Sequence, residues 1–304
     1  MSDTPIIKSL IRSPRYKTGR HSTNQIYNED CLETLKRLPD KCIDMVLTSP
    51  PYDKMRNFGS FDIGGIAREL KRVLVNGACI VWIVDDSTHN FDKSGTSFRH
   101  ALVFKESGFN LLDTMIYQKT PRGGIGNIFK YWNNFDFMFV FSNGKPTTVN
   151  CIIDRPTKTK PTKRTLYGRR RDGGTLTQVP LKENWGKYAR RTNIWYYPTG
   201  GGHDTEDDIA YSHPAIFPER LAADHILSWS REGDTVYDPF MGSGTTAKMA
   251  YLLGRRFLGS EIEKKYLDIC HTRLKNYINS PDEKDAWLER HKNIKTLVTS
   301  QEKR

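Results

Sequence analysis

The segment Thr48-Ser49-Pro50-Pro51-Tyr52 closes an apolar run, residues 43–48, with two consecutive prolines. Proline fixes φ, lacks an N–H and disfavours helix in the residue before it, so the chain leaves a strand here as a rigid extended loop. Such a loop presents the Ser49 hydroxyl, the Pro50 carbonyl oxygen and the Tyr52 ring from fixed positions. That set suits an exocyclic amine on a nucleobase. The lone pair of such an amine is delocalised into its ring, which makes it a poor nucleophile. Acceptors from Ser49 and Pro50 can bind both N–H groups and draw the nitrogen towards a tetrahedral shape, while Tyr52 can stack on a base pulled out of a duplex. Taken alone, the same residues also make an ordinary strand stop.

A second constellation lies far along the chain. Residues 235–246, Thr-Val-Tyr-Asp-Pro-Phe-Met-Gly-Ser-Gly-Thr-Thr, read as a short strand ending at Asp238, a glycine turn and a helix start. Gly242 and Gly244 let the backbone approach a ligand closely, and the first N–H groups of the helix are available to bind one. Residues 257–260 read as the next strand, and Glu261 at its end stands 19 residues beyond Gly242. An acid at about that offset is placed to accept both hydroxyls of a ribose, which points to a nucleoside cofactor. A P-loop is excluded, because Gly244 is followed by Thr245-Thr246 with no Lys to hold phosphates. A dinucleotide stays open on this segment alone.

The elements that must position these groups follow an α/β rhythm. Strands are predicted at 25–28, 43–48, 79–84, 111–117, 135–141, 235–237 and 257–260. Helices are predicted at 31–38, 66–74, 97–107, 218–230, 245–253 and 263–278, the second and third ending near Asn76-Gly77 and Gly108. Residues 1–24 read as a flexible basic arm, and 281–304 as a charged tail, in part a frayed helix. Between 150 and 211 the rhythm fails, and Pro, Gly, Thr and cations dominate. Residues 25–149 and 212–280 therefore form one α/β domain interrupted by a basic insertion, 150–211. Trp195-Tyr196-Tyr197 is expected as a core strand of that insertion.

Composition bounds the function class. The chain has 304 residues, a formal net charge of +12 and a hydrophobic fraction of 37%. Residues 154–191 carry twelve Lys or Arg against three acids, and residues 8–20 add five cations. Charge so concentrated suits a polyanion, since each neutralised phosphate releases a counterion. No apolar run approaches the ~20 residues of a membrane helix, and the N-terminus lacks a signal-peptide core. A cytoplasmic setting is expected. The five cysteines, at 31, 42, 79, 151 and 270, are scattered and include no Cys-x-x-Cys pair, which argues against a disulfide framework and a cysteine zinc site.

Together the two constellations resemble the amino-group DNA methyltransferases of bacteria and phages. Ser49-Pro50-Pro51-Tyr52 is similar to the family's catalytic motif, and Asp238-Pro239-Phe240-Met241-Gly242-Ser243-Gly244-Thr245-Thr246 to its cofactor motif. Their order resembles the β, circularly permuted, group. Asp30 is similar to the strand-end acid that contacts the cofactor adenine. His213-Pro214 with the residues up to Pro218 resembles the segment around the methionine part, and Gly259-Ser260-Glu261 with Tyr266 the ribose-binding stretch. The resemblance implies S-adenosylmethionine as methyl donor, no metal, and a doubly wound, mostly parallel seven-stranded sheet carrying an inserted target-recognition region.

It further implies double-stranded DNA as substrate, a monomer or homodimer, and a cognate restriction endonuclease as a partner the family admits. Ser at position 49 is mostly associated with cytosine N4 in this family, whereas Asp or Asn there mostly accompanies adenine N6. Cytosine N4 is the expectation and adenine N6 the alternative; an RNA methyltransferase or a non-catalytic DNA-binding protein is more distant. Methylation at cytosine C5 is disfavoured, because it commonly uses a Pro-Cys thiolate and no cysteine here follows a proline. Within the insertion, Lys163, Arg164, Arg169, Arg170 and Arg171 are the expected DNA contacts. Neutralising Arg169, Arg170 and Arg171 together should weaken DNA binding and reduce its salt dependence by a slope of roughly 0.9 for each phosphate no longer neutralised. A titration series across ionic strength measures this, and an unchanged slope assigns the three arginines to solvated surface.

Overall fold

The structure, a computed structural model, describes residues 24–51, 61–120, 129, 131–157, 166–168, 177–179, 187–200 and 202–292. Tyr52, Lys163, Arg164, Arg169, Arg170 and Arg171, together with the arm up to residue 23, lie outside the described residues.

Eight strands form one sheet. They are β1 (Gln25–Tyr27), β2 (Ile43–Thr48), β3 (Leu74–Val84), β4 (Asn110–Gln118), β5 (Phe135–Ser142), β6 (Ile194–Tyr196), β7 (Thr235–Asp238) and β8 (Arg256–Ser260). Across the sheet the order is β1-β8-β7-β2-β3-β5-β4-β6. All neighbours are parallel except β5, which runs antiparallel to β3 and β4.

Alternation along β3 shows how both faces are covered. Ile80, Trp82 and Val84 pack with Leu35, Leu70 and Phe104 from α1 (Cys31–Arg37), α2 (Ile63–Val73) and α3 (Thr96–Glu106). Val81 and Ile83 pack with Leu221, Ala247 and Leu267 from α4 (Glu219–Trp229), α5 (Thr245–Leu252) and α6 (Lys264–Ile278). A strand buried on both faces reads as a continuous apolar run, which is the pattern of β2 and β3. The fold is doubly wound, as the sequence predicts.

Three local expectations differ from the structure. The eighth strand, β6, is drawn from the stretch expected within the insertion; it pairs in parallel with β4, Trp195 opposite Tyr117, and buries Trp195 and Tyr197 in the main core. Asn76-Gly77 is not a helix end. The helix stops at Val73, and Gly77, at φ 82°, lies inside β3, where a Cβ would stand 2.4 Å from the Thr147 side chain.

The charged tail is anchored: α7 (Pro281–Arg290) buries Trp287 in the α4–α6 core and stacks it on His291. Within the insertion, the described residues include two short antiparallel ribbons. Residues Ile153–Pro156 pair with Tyr188–Arg190, and Leu166–Gly168 with Thr177–Val179. Arg191 bridges Asp154, at the insertion's start, to the buried Asp224 of α4. That arginine is a structural clamp.

Candidate active site

The parallel strands β2 and β7 lie side by side, with Met45 opposite Val236 and Val46 opposite Tyr237. Their carboxyl ends therefore finish at the same level, where open α/β sheets bind ligands. Thr48 Oγ1 donates to Asp238 Oδ1 at 2.6 Å across this boundary, and Thr246 Oγ1 donates to the Leu47 carbonyl at 3.2 Å. These contacts bring the two constellations to the rim of one cavity of about 790 Å³. Ser49, Pro50 and Pro51 line one part of it, and Gly242, Ser243, Thr245 and Glu261 line another.

Glu261 follows β8 and is almost fully buried. Its Oε2 accepts from the Gly242 N–H at 2.7 Å and its Oε1 from the Glu263 N–H at 2.8 Å. Burial pushes its pKa up, and those two N–H groups oppose the rise. The carboxylate is thus held in one orientation while each oxygen keeps further acceptor capacity. His213 stands over the glycine turn, and its Nε2 is 3.1 Å from where a Gly242 Cβ would sit. Its Nδ1 accepts from the Ala215 N–H, and its ring meets the Tyr266 ring edge-on at 4.2 Å. Phe240 is wedged between Phe61 and Trp82. Asp30 reaches the cavity wall and also caps α1, accepting from the Leu32 N–H at 2.8 Å.

A DNA methylase family model matches residues 43–272. The orphan methyltransferase M.BamHII of Bacillus amyloliquefaciens is 50% identical over 250 residues, 80% of this chain and 92% of that protein. The chain belongs to the DNA methylase family. In fold, it is similar to the cytosine-N4-specific PvuII DNA methyltransferase, with a TM-score of 0.59 at 18% identity over 84% of this chain and 93% of that one. It is similar as well to M1.HpyAVI, solved as a complex with SAM, with a TM-score of 0.53 at 21% identity over 82% and 98%. Amino-group DNA methyltransferases use S-adenosylmethionine as methyl donor.

Of the site residues expected in this methylase, Ser49, Pro50, Pro51, Asp30, His213, Pro214, Pro239, Phe240, Gly242, Ser243, Thr245 and Glu261 line the cavity, and Asp238 and Gly244 do not. Asp238 is buried and turned into the sheet boundary, where Oδ1 accepts from Thr48 and from the Phe240 N–H at 3.0 Å. Gly244, at φ 85°, is required by packing; a Cβ there would stand 2.1 Å from the Cys270 sulfur of α6. Both residues shape the glycine turn from behind.

Other residues at the cavity escape the sequence reading. Lys119 pairs with Asp136 at 2.5 Å on the cavity wall, and burial raises the pKa of Asp136. A lone acid inside the aromatic run of β5 was the available signal. Behind the turn, the buried Arg273 donates to the Ser243 carbonyl at 2.6 Å and to Glu219 at 2.6 Å, while Lys248 bonds Glu219 and Asp207, each at 2.7 Å. Cys31 lines the cavity as a thiol, its pKa pushed up to about 12 by burial. Among the described residues, no cluster of three or more His, Cys, Asp or Glu is placed to hold a metal ion.

Burial raises the Asp238 pKa from its ordinary 3.8 to about 6, against hydrogen bonds from Thr48 and the Phe240 N–H that favour the charged form. Between those values the folded chain keeps a proton that the unfolded chain releases, so this carboxyl's contribution to stability falls as pH rises through the window. Asp238→Asn should therefore gain on the wild type by up to roughly 3 kcal/mol from about pH 4 to about pH 7. Urea unfolding of both proteins at the two pH values measures the gain. A difference that does not change with pH contradicts it.

Proposed function

We propose that this DNA methyltransferase modifies the N4 amino group of a cytosine drawn from double-stranded DNA. The observation that carries the reading is Ser49, a neutral hydroxyl beside the Pro50 carbonyl in the cavity that also holds Glu261. Enzymes of the family that act on adenine N6 mostly have a carboxylate or carboxamide there.

In this reading Ser49 Oγ and Pro50 O accept the two amine N–H groups and turn the nitrogen lone pair out of conjugation with the ring. Tyr52 stacks on the extracted base. Glu261 accepts the cofactor's ribose hydroxyls, Asp30 lies towards the adenine, and His213 and Pro214 flank the methionine part. The donor set fits such a cofactor: a buried carboxylate held by two N–H donors, aromatic and proline walls, and Gly242 in the lining. When bound, S-adenosylmethionine supplies a sulfonium methyl. The cavity's own groups position the amine for in-line transfer, with no covalent enzyme intermediate. The basic insertion, through Lys163, Arg164, Arg169, Arg170 and Arg171, holds the duplex by its phosphates. The setting we propose is the bacterial cytoplasm.

Nucleoside mass spectrometry of unmethylated DNA treated with the protein and S-adenosylmethionine should show N4-methylcytosine. N6-methyladenine in its place overturns the choice of base, and a product at cytosine C5 overturns the amino-group mechanism.

A further inference from the structure

Beyond β3 the chain turns back in a two-residue hairpin. Thr88 pairs with Lys93 and His89 with Asp92, leaving Asn90 and Phe91 as the turn. Their φ angles are 47° and 64°. A hairpin turn with positive φ at both central residues accepts Asn at the first and favours Gly at the second. Here the second is Phe91, against local backbone preference. No burial offsets this, because the ring is 78% exposed. It meets Phe129 edge-on, ring centroids 5.3 Å apart, and Phe129 is itself 75% exposed.

The hairpin is braced at its base. Asp86 accepts from the Ser97 N–H at 2.8 Å and from Ser97 Oγ at 2.7 Å, and the Ser94 N–H donates to the Ser87 carbonyl at 3.0 Å. It is also tied to the cavity. Asp85 accepts from Asn133 Nδ2 at 2.5 Å, and Asn133 lines the cavity; Asp85 also lies 3.6 Å from Lys93 Nζ on the hairpin. The exposed Phe91 ring, in contact with that of Phe129, is therefore mounted on a braced hairpin at the carboxyl rim of the sheet. The strand that carries the hairpin, β3, is the neighbour of the strand that carries Ser49.

An enzyme that takes a base out of a duplex leaves a gap in the stack, and an apolar wedge can occupy such a gap. The chain's net charge of +12 suits a duplex rather than an apolar protein as its partner, and Phe91 stands beyond β3, beside the strand that leads to Ser49. We propose that Phe91, backed by Phe129, enters the DNA and fills the space vacated by the target base. The inference rests on the base-extracting reading given above. It adds a residue that acts on the duplex and not on the amine.

The test compares single-turnover methylation of two duplexes carrying the modified site, one fully paired and one with an abasic residue opposite the target base. Extraction costs less from the second. Phe91→Ala should lose about tenfold or more on the paired duplex and stay within about threefold of wild type on the abasic one, the loss expected for a missing stack. Phe91→Trp should restore the paired-duplex rate. An equal loss on both duplexes, or none on the paired one, overturns the wedge. A wild-type protein that methylates neither duplex overturns the base-extracting reading, and this inference with it.

Discussion

The parallel pairing of β2 with β7, closed by the hydrogen bond from Thr48 to Asp238, is the constraint on which the site depends. The two residues are 190 positions apart, and no local rule links them. Once the strands align, strand geometry leaves little choice about where their following loops go. The Pro-Pro loop leaves β2 at the height where the Asp-Pro-Phe turn leaves β7. Register is tightly specified because both faces are buried, and a slip of one residue would put every side chain on the wrong side. The bond also explains why the position before Ser49 is a threonine: its hydroxyl is fully buried and satisfied.

Behind the glycine turn, two buried cations and two acids form a matched set. Arg273 and Lys248 share Glu219 and Asp207, and Arg273 also holds the Ser243 carbonyl. Removing one member of such a set strands a buried charge, at a cost of about 3–5 kcal/mol. The arrangement ties α5 and α6 to the segment that carries His213 and so to the cavity wall. Glu261 orientation, the glycine turn and the His213 ring are therefore parts of one packed unit.

Much of this is legible in the sequence, for a physical reason. Buried parallel strands must be apolar runs, and loops at their ends must carry turn residues, so β2, β3, β7 and β8 announce themselves. Glu261 is legible because its offset from Gly242 is set by one strand–helix–strand unit. Asp238 and Gly244 are not, since an acid or a glycine looks the same in sequence whether it faces a ligand or a neighbouring element. Their partners, Thr48 and Cys270, are revealed only by the fold. The strand at Trp195 is legible from its aromatic run, but its place in the main sheet is not, because its partner β4 lies far earlier in the chain. Trp287 shows the limit of charge as a guide: one buried indole anchors a helix whose other residues are mostly polar.

The central claim is that Ser49 acts on the amine while the cofactor is held elsewhere in the same cavity. The direct measurement is the single-turnover methyl-transfer rate of Ser49→Ala, taken with its S-adenosylmethionine affinity by calorimetry. The account predicts a rate lower by roughly 10–100-fold, the worth of one hydrogen bond felt in the transition state, with cofactor affinity unchanged. A rate within about twofold of wild type would mean that the Pro-Pro loop only ends a strand, and would contradict the account.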